Sequence, residues 1–169
     1  HAYSVAWADH EIDEVLRNSD KVIFNSIGQL TRFEQVSRGH TRGLRVNPGV
    51  STSSFDLADP ARPFSRLGEH DPRAIEAVIG QISGFMFHNN CENDDFDRFD
   101  AMLRGIEDRF GNLIGQLDWI SLGGGIQFTG AGYPLDKLAA RLKQFAETYG
   151  VQVYLEPGEA VITNSTTLE

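Results

Sequence analysis

Cysteine is almost absent from this sequence. With Cys91 alone, the chain can close no disulfide within itself, and it reads as a protein of a reducing compartment. Lysine is nearly as scarce, with only Lys21, Lys137 and Lys143. No apolar run approaches the roughly 20 residues of a membrane-spanning helix, so no membrane partner is expected. Residues 1–8, HAYSVAWA, lack the basic lead and apolar core of a secretory leader, which points to a cytoplasmic location. Asn164-Ser-Thr matches a glycosylation acceptor and is read as chance for the same reason. The chain has no initiator Met and is expected to begin inside a longer protein or after processing. Positive charge is also short: 15 Lys and Arg stand against 24 Asp and Glu, a formal net charge of −9. That balance argues against nucleic acid, whose binding needs basic patches. It fits a small cationic ligand, and equally plain solubility.

What is present is an alternation. Lys21–Ser26, Arg42–Pro48, Ile82–His88, Leu117–Leu122 and Val151–Glu156 are short apolar runs without strict period-2 patterning. Strands buried on both faces of a parallel sheet read this way. Helical spacing lies between them. Ile12, Val15 and Leu16 follow Asp9, a candidate N-cap. Ile75, Val78 and Ile79 follow Asp71-Pro72, a cap with proline at the first helical position. Phe96, Phe99, Met102, Leu103, Ile106 and Phe110 mark a longer helix, expected to stop at Gly111. Leu135, Leu138, Leu142, Phe145 and Tyr149 form the buried stripe of a last helix between Pro134 and Gly150. Strands alternating with helices predict a parallel α/β fold.

The chemically unusual clusters all follow strand ends: Asn47-Pro-Gly, His88-Asn-Asn-Cys-Glu-Asn93, Gly123-Gly-Gly125 and Glu156-Pro-Gly-Glu159. They should share the carboxyl edge of the sheet, where ligands bind in open sheets and barrels alike. Three glycines straight after a buried strand weaken it, so something must approach the backbone closely. A phosphate held by bare N–H groups is the first candidate, and a tight turn is the alternative. His88 alone could be a hydrogen-bonded core histidine. Glu156 could be an ordinary strand-end carboxylate, although one at the mouth of a buried strand needs a partner. Glu159 could be a solvated loop charge, Asn89, Asn90 and Glu92 turn residues, and Cys91 an inert thiol. Asp94, Asp95 and Asp97 read as a helix N-terminal charge cluster. The long stretch from Gly49 to His70 reads as a functional loop over the site.

Taken in order, RVNPG (45–49), SRLGE (65–69), GFMFHNNCEN (84–93), SLGGGIQFTG (121–130) and EPGEA (156–160) resemble the pyridoxal-phosphate decarboxylases built on an alanine-racemase-type barrel. Within that family they are most similar to the carboxynorspermidine branch, and the likeness covers essentially the whole chain. It implies a partial (β/α)8 TIM-type barrel over residues 1–160 and the start of a C-terminal β-domain at 161–169. It also implies pyridoxal 5'-phosphate as cofactor, with Gly123, Gly124, Gly125 and Gly158 toward the phosphate. His88 would lie on the pyridine ring, and Glu156 would pair with the ring nitrogen. More distant members continue the last motif with an arginine that holds phosphate. Here Glu159 stands instead, which implies contact with a small cationic carboxypolyamine substrate. The cofactor acts as an electron sink for the carbanion left by CO₂ loss, and a carboxylate holding a proton on the ring nitrogen makes the sink effective.

One part is missing. The cofactor needs a lysine for its resting imine. Lys21 begins a strand, at the edge opposite the site, and Lys137 and Lys143 lie on the last helix. The family places its lysine before the first residue here, and a further substrate-contacting segment after the last one, contributed by the partner of a homodimer with a shared active site. The chain is therefore expected to be an internal piece, inactive alone. Other readings remain: a diaminopimelate, ornithine or arginine decarboxylase of the same fold, a catalytically dead barrel acting as a binding protein, or a metal hydrolase using His88, Cys91 and Glu92. The last lacks further ligand groups in the sequence, so no metal is expected. Carboxynorspermidine and carboxyspermidine differ by one methylene, worth on the order of 1–3 kcal/mol in a pocket, and the residues do not separate them.

Overall fold

A computed structural model of the chain describes residues 1–53 and 59–162. Six strands form one sheet, in chain order and all parallel: β1 (Ala2–Ser4), β2 (Lys21–Phe24), β3 (Thr41–Arg45), β4 (Gly84–Met86), β5 (Trp119–Ser121) and β6 (Gln152–Tyr154). Between them run α1 (Ile12–Arg17), α2 (Ile27–Arg32), α3 (Pro72–Glu76), α4 (Phe96–Ile114) and α5 (Leu135–Tyr149). A short α6 (Glu159–Ile162) follows β6. The five expected strands are present, each shorter than its apolar run. β1 was not foreseen, and neither was α2, whose N-cap Ser26 accepts the Gln29 amide at 3.2 Å.

The central strands β2 to β5 are buried on both faces, which is why their sequences show no alternation. Outward, Val22, Phe24, Leu44, Phe85 and Ile120 join the helices in one large core. Phe99, Leu103, Ile106 and Phe110 of α4 and Phe145 of α5 are fully buried in it. Each such side chain contributes about 1.5–3 kcal/mol over exposure. Inward, Ile23, Met86 and Trp119 form a second cluster with Tyr3 and Tyr154. Trp119 fits there because the facing residues are glycines. A Cβ at Gly43 would fall 2.5 Å from the indole, and one at Gly84 closer still. The His1 ring, from the β1 edge, lies 4.7 Å from Tyr154 of β6 and 5.3 Å from Trp119. The two edge strands therefore approach each other across the inner face, and the sheet curls as part of a barrel.

Several local expectations need correction. Asp9 does not cap α1; Glu11 takes that position, and Asp9 pairs with Arg32, Nε to Oδ1 2.9 Å, because that exposed guanidinium can be met in two-pronged fashion. Gly111 does not end α4, which runs on to Ile114. It lies in the helix because α5 packs against it, with the Tyr149 hydroxyl 3.0 Å from where a Cβ would stand. Leu135, in the first turn of α5, is exposed and does not belong to the buried stripe. The α3 pattern breaks into one α turn and a 3-10 turn over Ile79–Gln81. Asp95 caps α4 through the amides of Asp97 and Arg98, as its charge cluster implied. Arg141 of α5 ties to α4 through ion pairs with Asp100 and Glu107, its Nε 2.7 Å from Asp100 Oδ1, and Arg104 pairs with Asp100 within α4. Val161 and Ile162 lie in α6, while the rest of the expected β-domain start, residues 163–169, and the Asn164 motif fall outside the described residues.

Candidate active site

The strand register explains why the unusual clusters meet. Arg45, Met86, Ser121 and Tyr154 are register partners across β3 to β6. Two residues further along each strand come Asn47, His88, Gly123 and Glu156. All four reach the carboxyl edge, as the sequence predicted. Lys21 lies at the other edge, its Nζ 5.0 Å from the centre of the Tyr154 ring, and Lys137 and Lys143 are exposed on α5.

Glu156 is anchored at this edge by two side chains. Ser121 donates from Oγ to Glu156 Oε1 at 2.6 Å, and His1 Nδ1 lies 2.9 Å from the same oxygen. Oε2 has no partner among the described residues. The carboxylate lines a cavity of about 480 Å³ with His1, Tyr154 and Leu155. Another cavity of about 490 Å³ lies between Val50–Ser53 and α4, and none of the predicted site residues lines it.

The glycine run has a different local cause from the one its sequence raised. A Cβ on Gly123 would stand 2.7 Å from the His88 ring, and one on Gly124 2.5 Å from the Glu156 carbonyl oxygen. One on Gly125 would collide with the Asn90 carbonyl. Gly123 and Gly125 also have positive φ, 66° and 79°. The close neighbours are thus the adjoining strand ends. Packing makes the glycines necessary, and a consequence of that packing is a turn whose Gly124 and Gly125 amides have no acceptor among the described residues. Gly158 N lies 3.9 Å from the Cβ position of Gly124, so the two glycine turns adjoin.

His88 is half-buried against Gly123. Burial holds its imidazole below the ordinary histidine pKa. The Arg45 cation adds to that shift and Glu156 opposes it. The ring is therefore favoured neutral near neutral pH. Arg45 donates to the His88 carbonyl at 3.1 Å and to the Tyr3 hydroxyl, and Tyr3 donates to Asn25 Oδ1 at 2.9 Å. Sequence reasoning assigned no role to Arg45, Tyr3, Asn25 or Ser121. Arg45 could have been noticed as a charge inside an apolar strand, and Ser121 as the inward residue two before Gly123.

The 49–70 loop is tied to the same edge. Thr52 N donates to the Asn89 carbonyl at 3.0 Å, Asn89 Nδ2 to the Val50 carbonyl at 2.9 Å, and Arg66 O accepts from Asn25. Arg109 of α4 clamps the loop's two ends, donating to the carbonyls of Pro48 and His70. Residues 54–58 of the loop lie outside the described residues. Asn89 and Asn90 are buried, which is more than turn residues require. Glu159 is exposed at the start of α6 and does not line the Glu156 cavity. Cys91 is a free, partly buried thiol. Among the described residues no three His, Cys, Asp or Glu side chains are placed to share a metal ion, so the hydrolase reading has no geometric support.

A curled parallel sheet with its polar residues gathered at the carboxyl edge is part of a β/α barrel. The same fold is seen at a TM-score of 0.73 in a crystal structure of a diaminopimelate decarboxylase, at 23% identity over 94% of this chain. The likeness to one kind of enzyme is much stronger. The chain is 62% identical over all 169 residues to a carboxynorspermidine/carboxyspermidine decarboxylase of Herminiimonas arsenicoxydans, and it spans 46% of that protein. It is 39% identical to the enzyme of the same name from Campylobacter jejuni, covering 95% of this chain and 42% of that one. The crystal structure of the Campylobacter jejuni carboxynorspermidine decarboxylase complexed with norspermidine superimposes with a TM-score of 0.81, over 94% of this chain and 40% of that one. No family model matches the chain.

Proposed function

We propose that this chain is the greater part of the barrel of a pyridoxal-phosphate-dependent decarboxylase that converts carboxynorspermidine or carboxyspermidine to norspermidine or spermidine. The observation that carries the proposal is the Glu156 carboxylate, held by Ser121 at 2.6 Å beside His88 and the glycine turn, with one oxygen unpartnered among the described residues. The 62% identity to a decarboxylase of that name supports the choice of substrate over other basic amino acids.

The residues fit the cofactor. The Gly124 and Gly125 amides are unpaired donors among the described residues, suited to a phosphate. His88, neutral and half-buried, offers a flat face that shields a ring from water. Glu156 holds a proton at a ring nitrogen through its free oxygen, because a carboxylate stabilises the protonated form by charge. When bound, pyridoxal phosphate supplies the electron sink for decarboxylation. Glu159 meets a substrate amine, and a lysine from outside this chain supports the cofactor. The working enzyme is a homodimer with a shared site, and it is cytoplasmic; the described residues include no helix long and apolar enough to cross a membrane.

The test is CO₂ release from carboxynorspermidine by the full-length protein loaded with pyridoxal phosphate. Glu156→Gln should keep cofactor loading and lower turnover by about 10²-fold or more, the scale of a lost proton-holding group. Normal turnover at normal loading would sink the assignment.

A further inference from the structure

Ser121 is wholly buried on the inner face of β5, and its hydroxyl is used twice. Oγ accepts the Gly123 amide at 3.2 Å and donates to Glu156 Oε1 at 2.6 Å. The direction is unambiguous: the amide can only donate, and the ionised carboxylate can only accept. The Glu156 amide in turn donates to the Gly123 carbonyl at 2.8 Å. Gly123 and Glu156 are thereby joined by a closed ring of contacts that passes through one hydroxyl.

This ring has a geometric consequence. A glutamate at a strand end has three side-chain torsions, and nothing in its own backbone selects among them. Here Oε1 is occupied by Ser121 and by His1, and Oε2 is the oxygen left unpartnered among the described residues. Resting on the reading of Glu156 given above, we infer that Ser121 is a positioning residue. It locks Oε1, presents Oε2 to the ring nitrogen, and sets the carboxylate in register with the glycine turn that receives the phosphate. Alanine at 121 would leave Oε1 held by His1 alone and strip the Gly123 amide of its acceptor. Aspartate would place a second negative charge against Glu156.

The experiment uses the full-length protein loaded with pyridoxal phosphate, and compares wild type with Ser121→Ala and Ser121→Cys. Cysteine keeps the shape and is a weak donor, so it separates loss of the hydrogen bond from loss of volume. Both variants should lose about tenfold or more in kcat, the scale of a charge-assisted hydrogen bond. KM for carboxynorspermidine should stay within about twofold, as expected for an interaction that acts in the transition state. The cofactor dissociation constant, read by absorbance titration, should change much less than kcat. Unchanged kcat at full loading in either variant overturns the inference. So does a loss that excess cofactor reverses, because the hydroxyl would then serve the glycine turn alone. A wild-type protein that takes up no cofactor removes the functional reading, and the inference with it, before any variant is compared.

Discussion

Gly124→Ala isolates what the glycine turn does. The added methyl would stand 2.5 Å from the Glu156 carbonyl oxygen, where ordinary contact begins at 3.4 Å. The obstacle is backbone and cannot swing aside. Two hydrogen bonds fasten it, Glu156 N to Gly123 O at 2.8 Å and Leu122 N to Tyr154 O at 2.9 Å. The β5 and β6 ends must therefore part by about an ångström. Overpacking of this kind costs roughly 1–3 kcal/mol. A misplacement of about 1 Å at a reacting centre costs about 10²-fold in rate. Gly80→Ala is the control, since nothing lies within 4 Å of its Cβ position and its φ is not positive. Urea midpoints, cofactor absorbance titrations and turnover of the full-length variants would be compared. Gly124→Ala should lose stability, cofactor affinity and rate together, and Gly80→Ala none of them. If both variants match wild type, the strand ends are not packed as described, and the reason given for the glycines fails.

Glu159→Gln should raise KM for the carboxypolyamine about tenfold or more, as expected for one charge-assisted hydrogen bond, without changing the cofactor spectrum. A fall in cofactor affinity at constant KM would move Glu159 to the phosphate side. Arg141→Ala should cost up to about 3 kcal/mol, the low end for breaking a buried pair, since Arg104 still reaches Asp100. Chemical denaturation at neutral pH would measure it, and an unchanged midpoint would refute it. For His88, burial depresses the folded pKa below the ordinary 6.5, so as pH falls past that value the unfolded chain binds the proton first. Stability should decline from about pH 6.5 downward until the folded pKa is reached, by up to about 1.4 kcal/mol per pH unit. His88→Asn should remove that part of the slope, and identical slopes for both proteins would contradict the buried, neutral ring.

The alternation of strands and helices was legible because its causes are local. Apolar runs, the Asp71-Pro72 cap and the Gly150 stop, in left-handed conformation at φ 68°, act over a few residues. The same holds for the placing of Asn47, His88, Gly123 and Glu156 at one edge: in a parallel sheet every strand end faces the same way. β1 and α2 escaped notice because neither shows a clear apolar pattern: α2 buries only Leu30, and β1 has only partly buried residues. Gly111 misled because a glycine can end a helix or make room for a neighbour, and only the packing of Tyr149 distinguishes the two.

By itself, then, the sequence determined the alternation of five of the strands with four of the helices, the parallel sense of the sheet and the candidate residues at its rim. The tertiary structure alone decided what those residues do to one another. That the three glycines are shaped by His88, Glu156 and Asn90, that Ser121 holds the carboxylate, and that Arg45 stands under His88 depend on register between strands, through residues 32 to 43 positions apart. Such pairings are set by curl and layer packing of the whole sheet, and no local propensity encodes them.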